Sequence, residues 1–143
     1  MRPLMRVSRN LLEKIYTLFA DKLGRHGIGF ATCKEGLFRY HTAEDCCGVY
    51  LLREYVLRAT LYDVYRYIVE TGQKALQPAE LFKNVCNRYS RICLEQLKDY
   101  PKTVSKALRY HEKKMLKVLS NSDVLSHIAP HLFEVLKMQR SPD

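Results

Sequence analysis

One stretch, residues 42–71, constrains the fold of this chain more than any other. Apolar side chains recur along it at helical spacing, and they cover most of the circumference of the helix that they predict. Such a helix is stable only when other helices pack on several of its sides. The sequence therefore predicts a long central helix over 42–71. Thr42 and Asp45 form its expected capping box, and Gly72 is its expected end.

Four further segments have the apolar periodicity of helices. The first follows a cap at Ser8 or Asn10 and ends before Gly24. The second and third run over 78–98 and 102–119. The fourth follows a cap at Asn121 or Ser122, and Pro130 either kinks it or starts its second half. Together with the central helix they predict an all-α fold, a compact bundle of about five helices. A chain of 143 residues fits one domain over 1–143, with flexible ends at 1–7 and 139–143.

The segment between the first two helices lacks helical periodicity. It contains Gly27, Gly29 and Gly36, and its apolar residues form two short runs around a four-residue turn. This pattern predicts a small β-hairpin over 28–40, packed on the helices because an isolated hairpin is only marginally stable. A structured loop is the alternative interpretation.

Charge sets the kind of partner to expect. The chain has 24 Lys and Arg against 15 Asp and Glu, a net charge of +9. Such a balance favours an acidic partner, which would be nucleic acid, an anionic membrane surface or an acidic protein. The first twelve residues are rich in arginine and contain no acid. We interpret them as a basic lead-in to the first helix, with a mitochondrial presequence as the alternative.

The cysteines predict a reducing compartment. There are five of them, an odd number, and no secretory signal precedes them. Reduced thiols are typical of nuclear or cytoplasmic proteins. Cys86 and Cys93 fall on the apolar side of the 78–98 helix, which predicts inert core thiols. No apolar run approaches the roughly 20 residues that a membrane-spanning helix needs.

A basic stripe marks the 102–119 helix. Its five cations recur at steps of four, three, four and four residues, so they share one narrow face: Lys102, Lys106, Arg109, Lys113 and Lys117. Tyr110 lies beside this face, and Arg88 and Arg91 add charge nearby. The stripe predicts a track for the phosphates of nucleic acid or for an acidic partner, with Tyr110 able to stack on a base. The alternative is the solvated face of an amphipathic helix.

A second group of residues has the chemistry of a metal site. His26, Cys33, His41 and Cys46 lie within a glycine-containing segment and could provide the four ligands of a zinc ion. Their spacing matches no zinc motif, and the alternative is that they are ordinary surface and core residues. We expect no cofactor other than this zinc. His111 falls on the apolar side of its helix and is predicted to be a packed histidine.

Tyrosines form the third feature. Five of them cover several sides of the central helix: Tyr50, Tyr55, Tyr62, Tyr65 and Tyr67. Tyrosine is common in interfaces because it is large, fairly rigid and has a polar tip. The pattern predicts a partner surface, with core packing as the alternative.

Two function classes follow. The first is a non-catalytic helical module for protein–protein interaction, an adaptor or subunit of an intracellular complex, for which self-association is also open. The second is a nucleic-acid-binding protein that uses the basic helix face. The chain has no P-loop, dinucleotide-binding, nucleophile-elbow or zinc-protease motif, so we do not expect an enzyme.

Overall fold

Six α-helices and one 3₁₀ turn form the regular structure of the computed structural model, which describes residues 7–32, 34–44, 58–73, 77–92 and 101–138. The elements are α1 (Arg9–Arg25), the 3₁₀ turn (Phe38–Tyr40), α2 (Leu61–Thr71), α3 (Pro78–Arg88), α4 (Lys102–Leu119), α5 (Ser122–Ile128) and α6 (Pro130–Met138). Within these ranges there is no strand, and a single bridge pairs Arg58 with Ile92. The predicted all-α class is confirmed.

The core lies where α2 meets α3 and α6. Helix α6 packs on α5, on α2 and on the 3₁₀ turn, while α4 packs on α3 and α5. The larger buried apolar side chains of these elements include Phe38, Val64, Ile68, Phe82, Val85, Leu125 and Leu132. Helix α1 lies beside the 3₁₀ turn and contributes no buried residue. The bundle therefore has its centre at α2 and α6, with α1 and α4 nearer its surface.

Helix α2 begins later than the sequence pattern predicts. Its cap is Thr60, whose hydroxyl accepts a hydrogen bond from the Asp63 amide at 3.2 Å, while the Thr60 amide donates to the Asp63 carboxylate at 2.9 Å. Residues 42–44 and 58–60 are not helical, and 45–57 lie outside the described residues. The prediction of one helix from Thr42 is therefore wrong. The predicted end is confirmed, because Gly72 adopts a left-handed conformation there.

Thr42 does not cap a helix because its side chain is used elsewhere. Its hydroxyl accepts a hydrogen bond from the Phe30 amide at 2.9 Å, and the Phe30 carbonyl accepts from the amides of Thr42 and Ala43. The second half of the expected hairpin is the 3₁₀ turn, so the hairpin prediction over 28–40 is wrong and the structured-loop alternative is correct for the described part. These hydrogen bonds join the two ends of the loop without forming paired strands.

Gly36 is essential to the close approach between this loop and α5. It has a φ of +65°, and a Cβ atom there would overlap the backbone carbonyl of Ile128. Only glycine combines this conformation with so little space. Position 36 therefore determines how the loop packs on the end of α5.

The remaining helix ends show which local signals were informative. Ser8 caps α1 as predicted, but the helix continues through Gly24 and ends in a Schellman motif at Gly27. Helix α3 ends at Arg88, so its predicted extension to residue 98 is wrong over 89–92. The bounds of α4, the Asn121 cap of α5 and the helix start at Pro130 are as predicted.

Candidate polyanion-binding face

Helix α4 presents its basic side chains to solvent. The five predicted cations are all exposed: Lys102, Lys106, Arg109, Lys113 and Lys117. At 1.5 Å per residue, the stripe is about 22 Å long. We call these five residues, with Tyr110 and Lys114, the basic face of α4.

The cations of the basic face have no acidic partner among the described residues. Ion pairs are formed instead by cations elsewhere in the described part of the chain, among them Arg9, Arg25, Arg39, Arg66, Arg88 and Arg91. Glu112, the only acid in α4, lies off the exposed side and is partly buried. The charge of this face is therefore not neutralised within the described part of the chain.

Tyr110 adds an aromatic surface to the basic face. Its side chain is 66% exposed, and the Lys114 ammonium lies 5.3 Å from the ring centroid. A cation at this distance attracts the ring electrostatically and holds it on the helix surface. Lys114 was not among the residues predicted for this face, although its position one turn after Tyr110 was a signal that could have identified it.

The opposite side of α4 attaches the helix to the bundle. Nε2 of His111 lies 2.7 Å from the carbonyl oxygen of Ala59, to which it donates a hydrogen bond, and Leu119 is buried. Burial lowers the pKa of His111, and the carbonyl of Ala59 offsets this only in part. The predicted packed role of His111 is thus confirmed. Helix α4 is therefore attached to the bundle by one side, and its basic side faces solvent.

Arg88 and Arg91, predicted as part of the binding set, lie elsewhere. Arg91 is 5% exposed and donates a hydrogen bond to the buried Asp63 at 3.1 Å. Arg88 donates to the Glu70 carboxylate at 3.1 Å, and Tyr89 donates to the same oxygen at 2.9 Å. Both arginines form ion pairs with acidic residues of α2. The candidate binding face therefore consists of α4 residues alone.

The three described tyrosines of the predicted partner surface do not form a single exposed patch. Tyr67 is buried, and its hydroxyl donates a hydrogen bond to Gln73. The Tyr62 ring stacks on His41 at a centroid distance of 3.8 Å, and the Tyr65 ring lies 5.7 Å from that of Phe38. Tyr50 and Tyr55 lie outside the described residues. The described tyrosines pack in and around the core because α3 and α6 cover two sides of α2.

The structure also locates the two histidines of the predicted zinc set. His26 is exposed at the end of α1, whereas His41 is buried and its Nδ1 accepts a hydrogen bond from the Thr32 amide at 3.1 Å. Cys33 and Cys46 lie outside the described residues, within which no group of three or more potential ligands is found. Zinc binding by this set stays a prediction.

Cys86 differs in its chemistry from the sequence-based expectation. It is 1% exposed and disulfide-bonded, so the prediction of a reduced core thiol is wrong for this residue. The sequence pattern placed Cys86 on an apolar face but could not show whether a second cysteine comes within bonding distance. The other four cysteines lie outside the described residues. The nuclear or cytoplasmic location therefore loses the support that reduced thiols gave it.

Comparison with protein-family models, curated proteins and solved structures finds no match to this chain. None of the described helices combines the length and the apolar character needed to cross a bilayer.

Proposed function

We propose that this protein is a non-catalytic nucleic-acid-binding module that holds the phosphate backbone along the basic face of α4. The observation that carries the proposal is a row of five exposed cations on one helix face, none of which has an acidic partner in the described part of the chain. Phosphates are the natural counterpart of such a row, because each lysine or arginine that contacts a phosphate releases a condensed counterion.

The geometry of the row suits an extended polyanion better than a compact one. A duplex carries one negative charge per about 1.7 Å of its axis, so several phosphates lie within the roughly 22 Å that the row covers. Tyr110 beside the row offers a ring on which an unpaired base can stack. Contacts to phosphates carry no sequence information, and we therefore propose binding that is independent of sequence.

A purely solvated helix face would differ in two ways. Exposed protein surfaces usually mix both signs of charge, whereas the charged side chains of this face are all positive. Its cations also differ from Arg9, Arg39 and Arg66, each of which is paired with a glutamate. A row of one sign creates a local positive potential that attracts polyanions.

A salt titration of binding to a labelled random-sequence duplex and to a single strand tests the proposal. The variant Lys106→Ala, Arg109→Ala, Lys113→Ala removes three cations from the centre of the row. If each contacts one phosphate, the slope of log K against log salt should become shallower by about 2.7 for the duplex.

A matched control removes the same charge from other places. Lys14, Lys22 and Lys34 are exposed on α1 and in the following loop, and their triple replacement by alanine lowers the net charge equally. This control should keep most of the slope of the unmodified protein. Equal losses in the two triple variants would mean that net charge alone attracts the nucleic acid, and an unchanged slope in the α4 variant would exclude the phosphate track.

A further inference from the structure

Helix α1 exposes an apolar face made of Leu11, Ile15 and Leu18, bordered by Phe19, whose ring stacks on that of Phe30 at a centroid distance of 6.0 Å. Leu11, Leu18 and Phe19 are each at least 50% exposed, and Ile15 is 37% exposed. Among the described residues, six of the ten exposed large apolar side chains belong to α1 or its two flanks: Val7, Leu11, Ile15, Leu18, Phe19 and Ile28. A concentration of this kind on one element marks an interaction surface.

This face points away from the bundle, because α1 attaches by its other side. Nε2 of His131 lies 3.4 Å from the Glu13 carboxylate, to which it donates, and Arg9 donates to Glu134 at 2.7 Å. Tyr16 packs edge-on against the Phe30 ring at a centroid distance of 5.3 Å. At 100° per residue, Tyr16 and Leu18 lie about 160° apart around the helix. The attachment therefore lies opposite Leu11 and Leu18, whereas Phe19, about 60° from Tyr16 around the helix, packs on Phe30 at the border of the apolar face.

The spacing along the apolar face is that of a helix–helix seam. Leu11, Ile15, Leu18 and Lys22 follow one another at steps of four, three and four residues. These steps place leucine at two d positions and isoleucine at the a position between them, a choice that favours pairing with one other helix. The next a position is Lys22, which is exposed and has no ion pair among the described residues.

Charge indicates which helix would fit. In a parallel pair of two copies, Lys22 would face Lys22 across the seam, and in an antiparallel pair centred on Ile15 the two Lys14 side chains would be neighbours. Both arrangements place like charges together, in a protein whose net charge is already +9. An acidic residue opposite Lys22 would remove the repulsion and replace it with attraction. A bilayer fits less well, because the polar sides of α1 include Glu13 and Asp21 as well as cations.

We propose that α1 binds an amphipathic helix of a partner protein, which carries apolar residues at heptad spacing and an acidic residue opposite Lys22. This surface is separate from the basic face of α4. A partner bound at α1 would therefore leave α4 free, and the protein could connect that partner to a polyanion.

The test uses the full chain and two labelled synthetic helical peptides. Both peptides have leucine and isoleucine at the same heptad positions. The acidic peptide has glutamate, and the basic peptide lysine, at the position that faces Lys22 and at the positions that flank the apolar seam. The acidic peptide should bind the protein, and the basic peptide should bind at least about tenfold more weakly. The variant Lys22→Glu, Lys14→Glu should reverse this preference.

Two glutamine variants locate the binding. Leu11→Gln with Leu18→Gln should weaken binding of the acidic peptide by on the order of tenfold or more, since two exposed apolar anchors are lost. Val124→Gln with Ile128→Gln is the matched control, because these α5 side chains are each 41% exposed. Equal effects of the two double variants would overturn the assignment to α1, and so would the absence of peptide binding.

Two other occupants are distinguished by further measurements. Sedimentation that shows a dimer of the protein alone, dissociated by Leu11→Gln with Leu18→Gln, would overturn the proposal in favour of a second copy. Binding to phosphatidylserine-containing vesicles that the same variant abolishes, without binding of the acidic peptide, would overturn it in favour of a membrane. The α4 triple alanine variant should bind the acidic peptide as the unmodified protein does, so failure at one surface is distinguishable from failure at the other.

Discussion

Arg91 and Asp63 form an ion pair inside the protein, with 3.1 Å between the guanidinium nitrogen and the carboxylate oxygen and side chains that are 5% and 1% exposed. The second carboxylate oxygen of Asp63 accepts hydrogen bonds from the amide and the hydroxyl of Thr60. One side chain thereby fixes both the start of α2 and the backbone that follows α3. The bridge between Arg58 and Ile92 brings the same two segments together.

Replacing Asp63 should be among the most destabilising single changes in the described core. In Asp63→Ala the charge of Arg91 stays buried without its partner, and the cap of α2 is lost. Breaking a buried pair in this way costs about 3–5 kcal/mol. Urea denaturation followed by circular dichroism measures the loss. The control is Asp21→Ala, since Asp21 pairs with Arg25 on the exposed side of α1 and should cost less than about 1 kcal/mol. Similar losses in both variants would contradict the structural role of the buried pair.

Three partly or fully buried histidines predict a loss of stability in mild acid. Burial lowers the pKa of His41, of His111 and of His131, whereas partners such as Glu13 raise the pKa of His131 less than burial lowers it. Below a pH of about 6.5 the unfolded chain binds protons that the folded protein does not. The free energy of unfolding should therefore fall as the pH is lowered from about 6.5, by up to roughly 1.4 kcal/mol per pH unit for each histidine.

His131 offers a direct test of this pH dependence. Its Nδ1 accepts a hydrogen bond from the Arg39 amide at 3.1 Å, and a protonated ring would lose that bond. Asparagine can accept the same hydrogen bond but does not titrate. Urea denaturation of His131→Asn between pH 5 and pH 7.5 should give a shallower pH dependence than that of the unmodified protein, whatever its absolute stability. Parallel curves for the two proteins would show that His131 does not contribute.

Two glycines should respond to alanine in opposite directions. Gly36→Ala combines a φ of +65° with overlap on the Ile128 carbonyl, so it should cost at least about 1–3 kcal/mol. Gly24 lies inside α1, and no neighbouring atom lies within 4 Å of the place that an alanine Cβ would occupy. Gly24→Ala should therefore stabilise the helix by about 0.5–1 kcal/mol. Thermal melting of both variants measures the difference. A stabilising Gly36→Ala would show that the loop does not approach α5 as described.

The disulfide of Cys86 predicts sensitivity to reduction. Peptide mapping without reductant should find the Cys86 peptide cross-linked, and reduction should lower the free energy of unfolding by about 2–4 kcal/mol. The variant Cys86→Ala provides the control, because reductant should not destabilise it further through this bond. A free Cys86 thiol in the purified protein would contradict the structure at this position and restore the case for a reducing compartment.

The sequence was most informative where structure depends on neighbouring residues. Periodicity and caps correctly located α4, the start of α1 and the break before Pro130, because these features arise within a few residues of the chain. The start of α2 was not determined in this way. Thr42 with Asp45 and Thr60 with Asp63 have the same spacing, and only the contact of Thr42 with Phe30 shows that the first pair is not a helix cap.

Contacts between residues that are distant in the sequence could not be predicted from local sequence patterns. Arg91 looked like one more surface cation, since its partner Asp63 lies 28 residues earlier. The apolar face of α1 was visible as periodicity, but the pattern could not show that its Leu11 and Leu18 side is left uncovered while Tyr16 is packed. The five-cation row of α4 and Tyr110 were predicted residue by residue, because positions on a regular helix follow from spacing alone, whereas Lys114 was missed.

In helix α4, the residues that pack against the bundle and the residues that carry the exposed charge are different ones. His111 and Leu119 hold it to the bundle, and the lysines on its outer side contribute no described contact to an acid. A library of random variants sorted for folding alone should accept neutral and acidic residues at positions 102, 106, 109, 113 and 117 while it retains residues 111 and 119. Positive charge would persist at those five positions only if the library were also selected for binding. Selection for folding and selection for binding would therefore act on different positions of the same helix.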